Sequence, residues 1–214
     1  MAGARVGRLL TTVLSIAVAT GAGCSKSHVP PPARNLAAEA VELLSYGDVR
    51  TVAEKMHYPP NYTPQERKMD IAATGNGLDL AAREFGRLSE PKEHAGVAAF
   101  YEVGGSGGDV AYLSSLSPHY SAQVLYEAKF AKLGKGYIRI TVIQLAADSP
   151  FEILGVYFGL PVKDPHSKQA ILEITRKQLI QMGVPITPEV EQQMAASLTP
   201  VRYPAPQGSS QHVQ

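Results

Sequence analysis

The sequence contains little cysteine: one residue, Cys24, in a chain of 214. A single cysteine cannot close an intramolecular disulfide, which is the usual reinforcement of small exported domains. It also cannot supply the several thiolates of a Cys-ligated metal site. The folded part of the chain must therefore be stabilised by packing.

The sequence also lacks an excess of charge of either sign. Lysine and arginine number 20 and aspartate and glutamate 19, which gives a formal net charge of +1 at pH 7. Proteins that bind nucleic acid or anionic lipid through charge carry an excess of basic residues. The composition therefore gives no sign of a nucleic-acid partner or of electrostatic attachment to anionic lipid.

Motifs of phosphate binding and metal binding are missing too. Residues 104–108 form a glycine loop that matches the letters G-x-S-x-G, but a predicted strand follows it rather than a helix, and it lacks the Lys-Ser/Thr of a P-loop. That loop is interpreted as a flexible connection between strands. Ser89-Glu90-Pro91-Lys92 matches the letters S-x-x-K, but it lies outside the predicted helices. The histidines are scattered, without H-x-H or H-x-x-x-H spacing: His28, His57, His94, His119, His166 and His212. The sequence thus predicts no catalytic residue, no cofactor and no metal site.

The N-terminus has the order of a secretory signal peptide. Arg5 and Arg8 precede an apolar run at residues 9–19, and small residues follow at 21–23. A run of this length is too short to cross a bilayer as a permanent anchor. Residues 1–23 are therefore predicted to be a cleaved export signal, whose removal leaves 18 basic against 19 acidic residues.

Gly21-Ala22-Gly23-Cys24 resembles the lipobox of bacterial lipoproteins, with Gly21 where that family usually has leucine. The resemblance implies that Cys24 is the lipidation site and that acyl chains such as palmitate hold the mature protein on the membrane. Two or three chains make a durable anchor. Ser25 implies the outer membrane, facing the periplasm, by the sorting logic of enterobacteria. An alternative is ordinary secretion after cleavage at residues 17–19, which would leave Cys24 as a free thiol.

The residues after Cys24 divide into a tether, one domain and a tail. Residues 24–34 contain Pro30-Pro31-Pro32 and are predicted to be an extended spacer. Residues 35–198 are predicted to form a single globular domain. Residues 199–214 are rich in Pro, Gly, Ser and Gln and are predicted to be disordered.

Helical patterns begin and end the domain. Asn35 is expected to cap a first helix that Gly47 ends, and Asp48 a short second helix. Thr63-Pro64-Gln65-Glu66 is a capping box that starts a third helix running towards Phe85, weakened in its middle by Gly75 and Gly77. Two more helices are predicted after residue 160, the first through Met182 and the second from Thr187 to about Leu198.

In the middle of the domain, apolar residues recur at every second position. Strands are predicted at 97–103, 110–113, 120–132, 137–145 and 151–160, joined by short turns that favour an antiparallel meander. The prediction is an α+β fold with N-terminal helices packed on a curved antiparallel sheet of about four to five strands and with C-terminal helices. This order, and Ser45-Tyr46-Gly47-Asp48 between the first two helices, resembles cystatin-like and NTF2-like domains. The resemblance implies a fold more than an activity.

A curved sheet can enclose a pocket with an acid or base inside it. The residues to examine there are Asp109, His119, Tyr126, Glu127 and Asp148. For Glu127, an exposed position paired across strands with Arg139 is the simpler expectation. His57 with Tyr58 is interpreted as a contact that ends a helix. The strand tyrosines are interpreted as sheet packing rather than a ligand cage: Tyr101, Tyr112, Tyr126, Tyr137 and Tyr157.

These patterns together predict a membrane-anchored envelope lipoprotein with a non-catalytic binding or structural domain. Its expected partners are the membrane, through the lipid at Cys24, and an envelope protein. The alternative is an NTF2-like enzyme, or a binder of a small apolar ligand, that uses a pocket in the curved sheet.

Overall fold

The computed structural model describes residues 29–106 and 110–203, which form an α+β fold. The predicted signal peptide, Cys24, Asp109 and residues 204–214 of the predicted tail lie outside the described residues. In chain order the elements are α1 (Pro31–Tyr46), α2 (Val49–Glu54), α3 (Pro64–Phe85), β1 (Leu88–Glu93), β2 (Ala98–Ser106), α4 (Val110–Ser115), β3 (Tyr120–Phe130), β4 (Gly134–Gln144), β5 (Glu152–Pro161), α5 (Ser167–Gln181), α6 (Pro188–Ser197) and β6 (Val201–Tyr203).

Helix α1 begins at Pro31 rather than after Asn35, so the prediction of a tether through residue 34 is wrong at its end. Proline suits the first turn of a helix, because its φ is already helical and an N–H there would have no partner in the helix. Ala33, Ala37 and Ala40 are fully buried, and these small side chains let α1 lie close to the sheet. Gly47 ends the helix with a left-handed φ of 80°.

The predicted capping box opens α3: Thr63 accepts from the Glu66 N–H, and the Glu66 carboxylate accepts from the Thr63 N–H. The helix runs to Phe85 without a break at Gly75 or Gly77. Both positions face neighbours, since a Cβ at Gly75 would lie 3.7 Å from Ala53 and one at Gly77 3.8 Å from Gln178. Packing against α2 and α5 therefore outweighs the low helix propensity of glycine.

The described residues form one antiparallel sheet of six strands in the order β1-β3-β4-β5-β2-β6. Strands β3, β4 and β5 form the predicted meander. The expected count of four to five strands is too low, because β1 and β6 add an edge strand at each side. Strand β6 lies inside the predicted tail, so the expectation of disorder is wrong for Val201–Tyr203.

Residues 110–113 form part of helix α4 and not a strand, which corrects a second prediction. Four apolar residues in a row do not distinguish the two structures by their period. Tertiary packing favours the helix here, because Leu113 is buried with Ile143 and Leu154 at one end of the sheet.

The sheet has a helix face and an inner face. The helix face carries Ile138, Ile140 and Val142 of β4, which join one core with residues of α1, α3 and α5. The sheet curls towards its inner face. A contact between distant strands shows this, since the Tyr203 hydroxyl on β6 donates to the Gln123 carbonyl on β3 at 3.3 Å. In a flat sheet these strands would lie about 19 Å apart. Consequently β4 is buried on both faces from Gly136 to Ile143.

Candidate functional site: two buried polar networks

The first network is an ion pair on the inner face of the curled sheet. Arg139 on β4 donates to Glu102 on β2 through Nε at 2.8 Å and Nη2 at 2.5 Å, and its Nη1 donates to Thr141 Oγ1 at 3.0 Å. The guanidinium lies over the ring of Tyr157, 4.0 Å from its centroid. The side chains of Arg139 and Glu102 are 7% and 3% exposed, so the pair is nearly sealed from water.

Glycines on β5 make room for this network. Gly155 and Gly159 lie on either side of Tyr157 on the inner face, and neither has a side chain to compete for space. A Cβ at Gly155 would lie 2.5 Å from the Tyr157 ring, and one at Gly159 would lie 2.6 Å from the ring of Phe100. The rings therefore occupy the space over the two glycines.

The charge of Arg139 is maintained by its partner. Burial lowers the pKa of the guanidinium, but the Glu102 carboxylate raises it, and the net pKa lies above its usual value. Two ionised groups taken out of water need this mutual attraction together with further hydrogen bonds. The two carboxylate oxygens of Glu102 supply the attraction, and the hydroxyl of Thr141 accepts a further hydrogen bond. The ring of Tyr157 lies against the guanidinium.

The second network joins a carboxylate, an imidazole and a phenol. His57 follows α2, in a segment where Met56 pairs with Ile153 and the His57 N–H donates to the Ile153 carbonyl at 2.7 Å. Its Nδ1 lies 2.8 Å from Glu152 Oε2, and its Nε2 lies 2.5 Å from the hydroxyl of Tyr112 on α4. An ionised carboxylate can only accept, so Nδ1 donates to Glu152, and Nε2 faces the phenol hydroxyl as its hydrogen-bond partner.

This network has the order of groups found in general-base relays, in which a carboxylate orients an imidazole that faces a hydroxyl. Burial and the nearby Glu152 charge raise the pKa of Tyr112, so the phenol stays protonated at neutral pH. The imidazole of His57 is 5% exposed and stacks on the Tyr112 ring with centroids 5.7 Å apart. The three side chains tie together segments of the chain that are distant in sequence.

Replacing Tyr112 with phenylalanine tests whether this network holds α4 in place. The change leaves Nε2 of the buried His57 without its hydrogen bond, and we expect a loss of about 1–3 kcal/mol in the free energy of unfolding. Amide hydrogen exchange in α4 should accelerate more than exchange in β4. As a control, Tyr46→Phe alters a residue that is 77% exposed and should leave both measurements unchanged. Equal effects of the two substitutions would contradict the assigned role.

The four predicted pocket residues that the structure describes do not come together. His119 and Asp148 are exposed, His119 just before β3 and Asp148 between β4 and β5. Tyr126 is buried on the helix face, where burial and the Glu93 charge raise its pKa to about 12. Glu127 does not pair with Arg139 as expected: its carboxylate contacts Lys135 at 2.9 Å and His94 at 3.6 Å.

The register explains this correction. Arg139 lies opposite Leu125 on β3, and Glu127 lies opposite Tyr137 on β4. The interpretation of the tyrosines as packing is confirmed for Tyr137, whose ring lies 5.2 Å from that of Phe100. The sequence predicts that His57 makes a contact at the end of a helix. It does not predict the contacts of His57 with Glu152 and Tyr112.

Two clefts open at the surface of the described residues. One, of about 230 Å³, is lined by side chains of β1, β3 and β4: Glu90, Lys92, Glu127, Ala128, Lys129 and Lys135. The other, of about 350 Å³, lies between α5 and α6, where Arg176 bridges to Glu191 at 3.2 Å. Within the described ranges, no three His, Cys, Asp or Glu side chains are grouped so that they could hold a metal ion.

Over the same described ranges, every helix is too short or too polar to cross a membrane. The chain matches no family model, no curated protein and no solved structure.

Proposed function

We propose that this chain is an envelope lipoprotein, anchored by lipid at Cys24, whose domain has a non-catalytic binding or structural role. The proposed location is the outer membrane, facing the periplasm, and the proposed partner besides the membrane is an envelope protein. The order of the N-terminal sequence, with Arg5 and Arg8, an apolar run, small residues and Cys24, supports the anchor.

The position of the first helix sets the distance at which an anchor at Cys24 would hold the domain from the membrane. Helix α1 begins at Pro31, and Ala33 in its first turn is fully buried against the domain. Six residues, 25–30, separate Cys24 from that helix. Even fully extended, they span only about 20 Å. A lipid at Cys24 would therefore hold the domain close to the membrane surface.

The observation that carries the non-catalytic role is the filling of the curled sheet. On its inner face, Phe100, Leu125 and Tyr137 are buried together beside the ion pair of Arg139 and Glu102. On the helix face, Phe85, Ile140 and Phe158 are buried in one core. Side chains thus pack both faces of the described sheet, where the alternative, an NTF2-like enzyme or a binder of a small apolar ligand, would need a pocket. The order of elements still resembles that fold, which hosts many proteins without chemistry.

Membrane fractionation of cells that express the full chain tests the anchor. We expect the wild type in the outer-membrane fraction and Cys24→Ser in the soluble fraction, because serine has no thiol for the diacylglycerol. Ser25→Asp provides a matched control: it keeps the cysteine and should stay membrane-bound, but in the inner membrane where enterobacterial sorting logic holds. An unchanged distribution of Cys24→Ser would overturn the proposal.

Titration with an apolar fluorescent probe tests the role of the domain. A filled inner face predicts no saturable binding by the folded protein, since a ligand would have to displace packed aromatic side chains. Saturable binding at one site per chain would favour the alternative function.

A further inference from the structure

Basic side chains gather at one end of the sheet, around the hairpin between β3 and β4. We name as the basic patch five exposed residues of this region: Arg87, Lys92, Lys129, Lys132 and Lys135. The fold brings them together, because the Ala131 N–H donates to the Arg87 carbonyl at 3.0 Å and the Lys132 N–H to the Phe85 carbonyl at 3.0 Å. Because the whole chain is nearly neutral, its net charge does not indicate this local excess of basic residues.

The patch places like charges opposite each other. Lys129 and Lys135 are register partners on β3 and β4, an arrangement that is unfavourable without a nearby anion. On β1, which pairs with the other edge of β3, Lys92 is the register partner of Glu127. Glu127 neutralises Lys135 at 2.9 Å, and Glu90 also lines the cleft of about 230 Å³ that these residues share. Glu93 pairs with Arg34, which is outside the patch, so two carboxylates face five cations and the patch is positive.

The basic patch adjoins the edge strand that the first turns of α1 contact. Arg34, in the first turns of α1, contacts Glu93 at 3.4 Å, and Glu93 follows Lys92 on β1. From there α1 runs towards α2, and the segment after α2 pairs with Ile153 near the opposite ends of the strands. The start of α1 therefore lies against β1, the edge strand that also carries Lys92 of the basic patch.

We infer that the basic patch binds the phosphate groups of anionic phospholipids in the membrane that carries the anchor. The inference rests on the proposed function, because the short segment from Cys24 to Pro31 is what brings the patch to the lipid surface. Lysines near a membrane are attracted by anionic headgroups, and this attraction falls off within about 10 Å at 0.1 M salt. A domain held this close could use the contact to fix its orientation.

Vesicle binding by the mature chain carrying Cys24→Ser tests this contact without the anchor. We expect the protein to bind phosphatidylcholine vesicles that contain phosphatidylglycerol, to ignore pure phosphatidylcholine, and to be released at about 1 M salt. Replacing Lys92, Lys129 and Lys135 with glutamine should weaken binding by roughly tenfold or more. A competing titration with inorganic phosphate at equal phosphorus concentration should displace little protein.

A matched control removes the same charge elsewhere. Arg50 on α2, Lys55 directly after it and Lys68 on α3 are exposed. Helix α2 follows the far end of α1, about 24 Å from its start. Their replacement with glutamine should leave vesicle binding within about twofold of the parent, since the attraction is local. Circular dichroism should show both triple variants folded, because every changed side chain is exposed.

Three results would overturn the inference: no preference for phosphatidylglycerol, equal losses in the two triple variants, or displacement by inorganic phosphate at low concentration. The last would assign the patch to a soluble anion instead. Because the assay uses a chain without its anchor, its failure leaves the fractionation result untouched. Conversely, a soluble wild type that still binds the vesicles would reject the anchor and retain the patch.

Discussion

Replacing Glu102 with alanine is expected to lower the free energy of unfolding by about 3–5 kcal/mol. The substitution leaves the guanidinium of Arg139, which is 7% exposed, without its bidentate partner. Thr141 and Tyr157 remain, but neither supplies a negative charge. Because the isolated cation would be held away from water, the loss should exceed that of an ordinary hydrogen bond. Urea denaturation followed by far-ultraviolet circular dichroism measures it.

Two controls separate the loss of the pair from the loss of a side chain. The double variant Glu102→Leu with Arg139→Met replaces both charges by apolar groups and should recover most of the stability, as expected for buried ion pairs. Glu127→Ala removes the ion pair between Glu127, whose side chain is 39% exposed, and Lys135, whose side chain is 61% exposed. It should lower the free energy of unfolding by less than about 1 kcal/mol. A Glu102→Ala loss no larger than that of Glu127→Ala would contradict the account of the inner face.

Replacing Phe85 with alanine is the second large expected effect, again about 3–5 kcal/mol. Phe85 is fully buried at the end of α3, and its ring centroid lies 4.8 Å from that of Phe130 and 5.3 Å from that of Phe158. The three rings hold the end of α3 against β3 and β5. Alanine would leave a cavity that the sheet cannot close, because Phe130 and Phe158 are fixed on paired strands.

Two further substitutions calibrate this result by chemical denaturation. Phe85→Leu keeps most of the apolar volume and should lose clearly less than alanine. Met69→Ala lies on the same helix but changes a residue that is 63% exposed, so it should have an effect within about 0.5 kcal/mol. If Phe85→Ala and Met69→Ala had equal effects, the ring cluster would not stabilise the domain.

The strongest local patterns predicted the elements they belong to. The period of two from residue 120 predicted strand β3, whose buried residues Val124, Tyr126 and Ala128 join the core shared with the helices. The capping box at Thr63 and the proline after Thr187 gave the starts of α3 and α6. These predictions succeeded because each depends on hydrogen bonds and side-chain directions within a few residues.

Elements with weak local patterns were missed. Strand β1 buries only Leu88 and carries Pro91, so its sequence shows no alternation. Proline and charged residues are typical of an edge strand, where they discourage pairing with another chain. The Pro, Gly, Ser and Gln content of residues 199–214 predicts a disordered tail that includes β6. This strand forms through pairing with β2, about 100 residues earlier in the chain.

The buried networks could not be predicted from the sequence for the same reason. Arg139 appeared as a polar residue on an exposed face, and its burial depends on the curl of the sheet and on strand β2 lying beside β5. His57 lies 55 residues from Tyr112 and 95 from Glu152. No spacing rule links such positions, so only the tertiary structure identifies them as partners.

The intact mass of the mature protein, extracted from membranes and measured beside Cys24→Ser, tests the central claim most directly. If the protein is a lipoprotein, the wild-type chain begins at Cys24 and carries the mass of a diacylglycerol and a further acyl group. The Cys24→Ser chain carries no acyl mass. A mature wild-type chain that begins near Thr20 with an unmodified Cys24 thiol would contradict the claim. The protein would then be an ordinary secreted one, and its partners would have to be sought among soluble proteins.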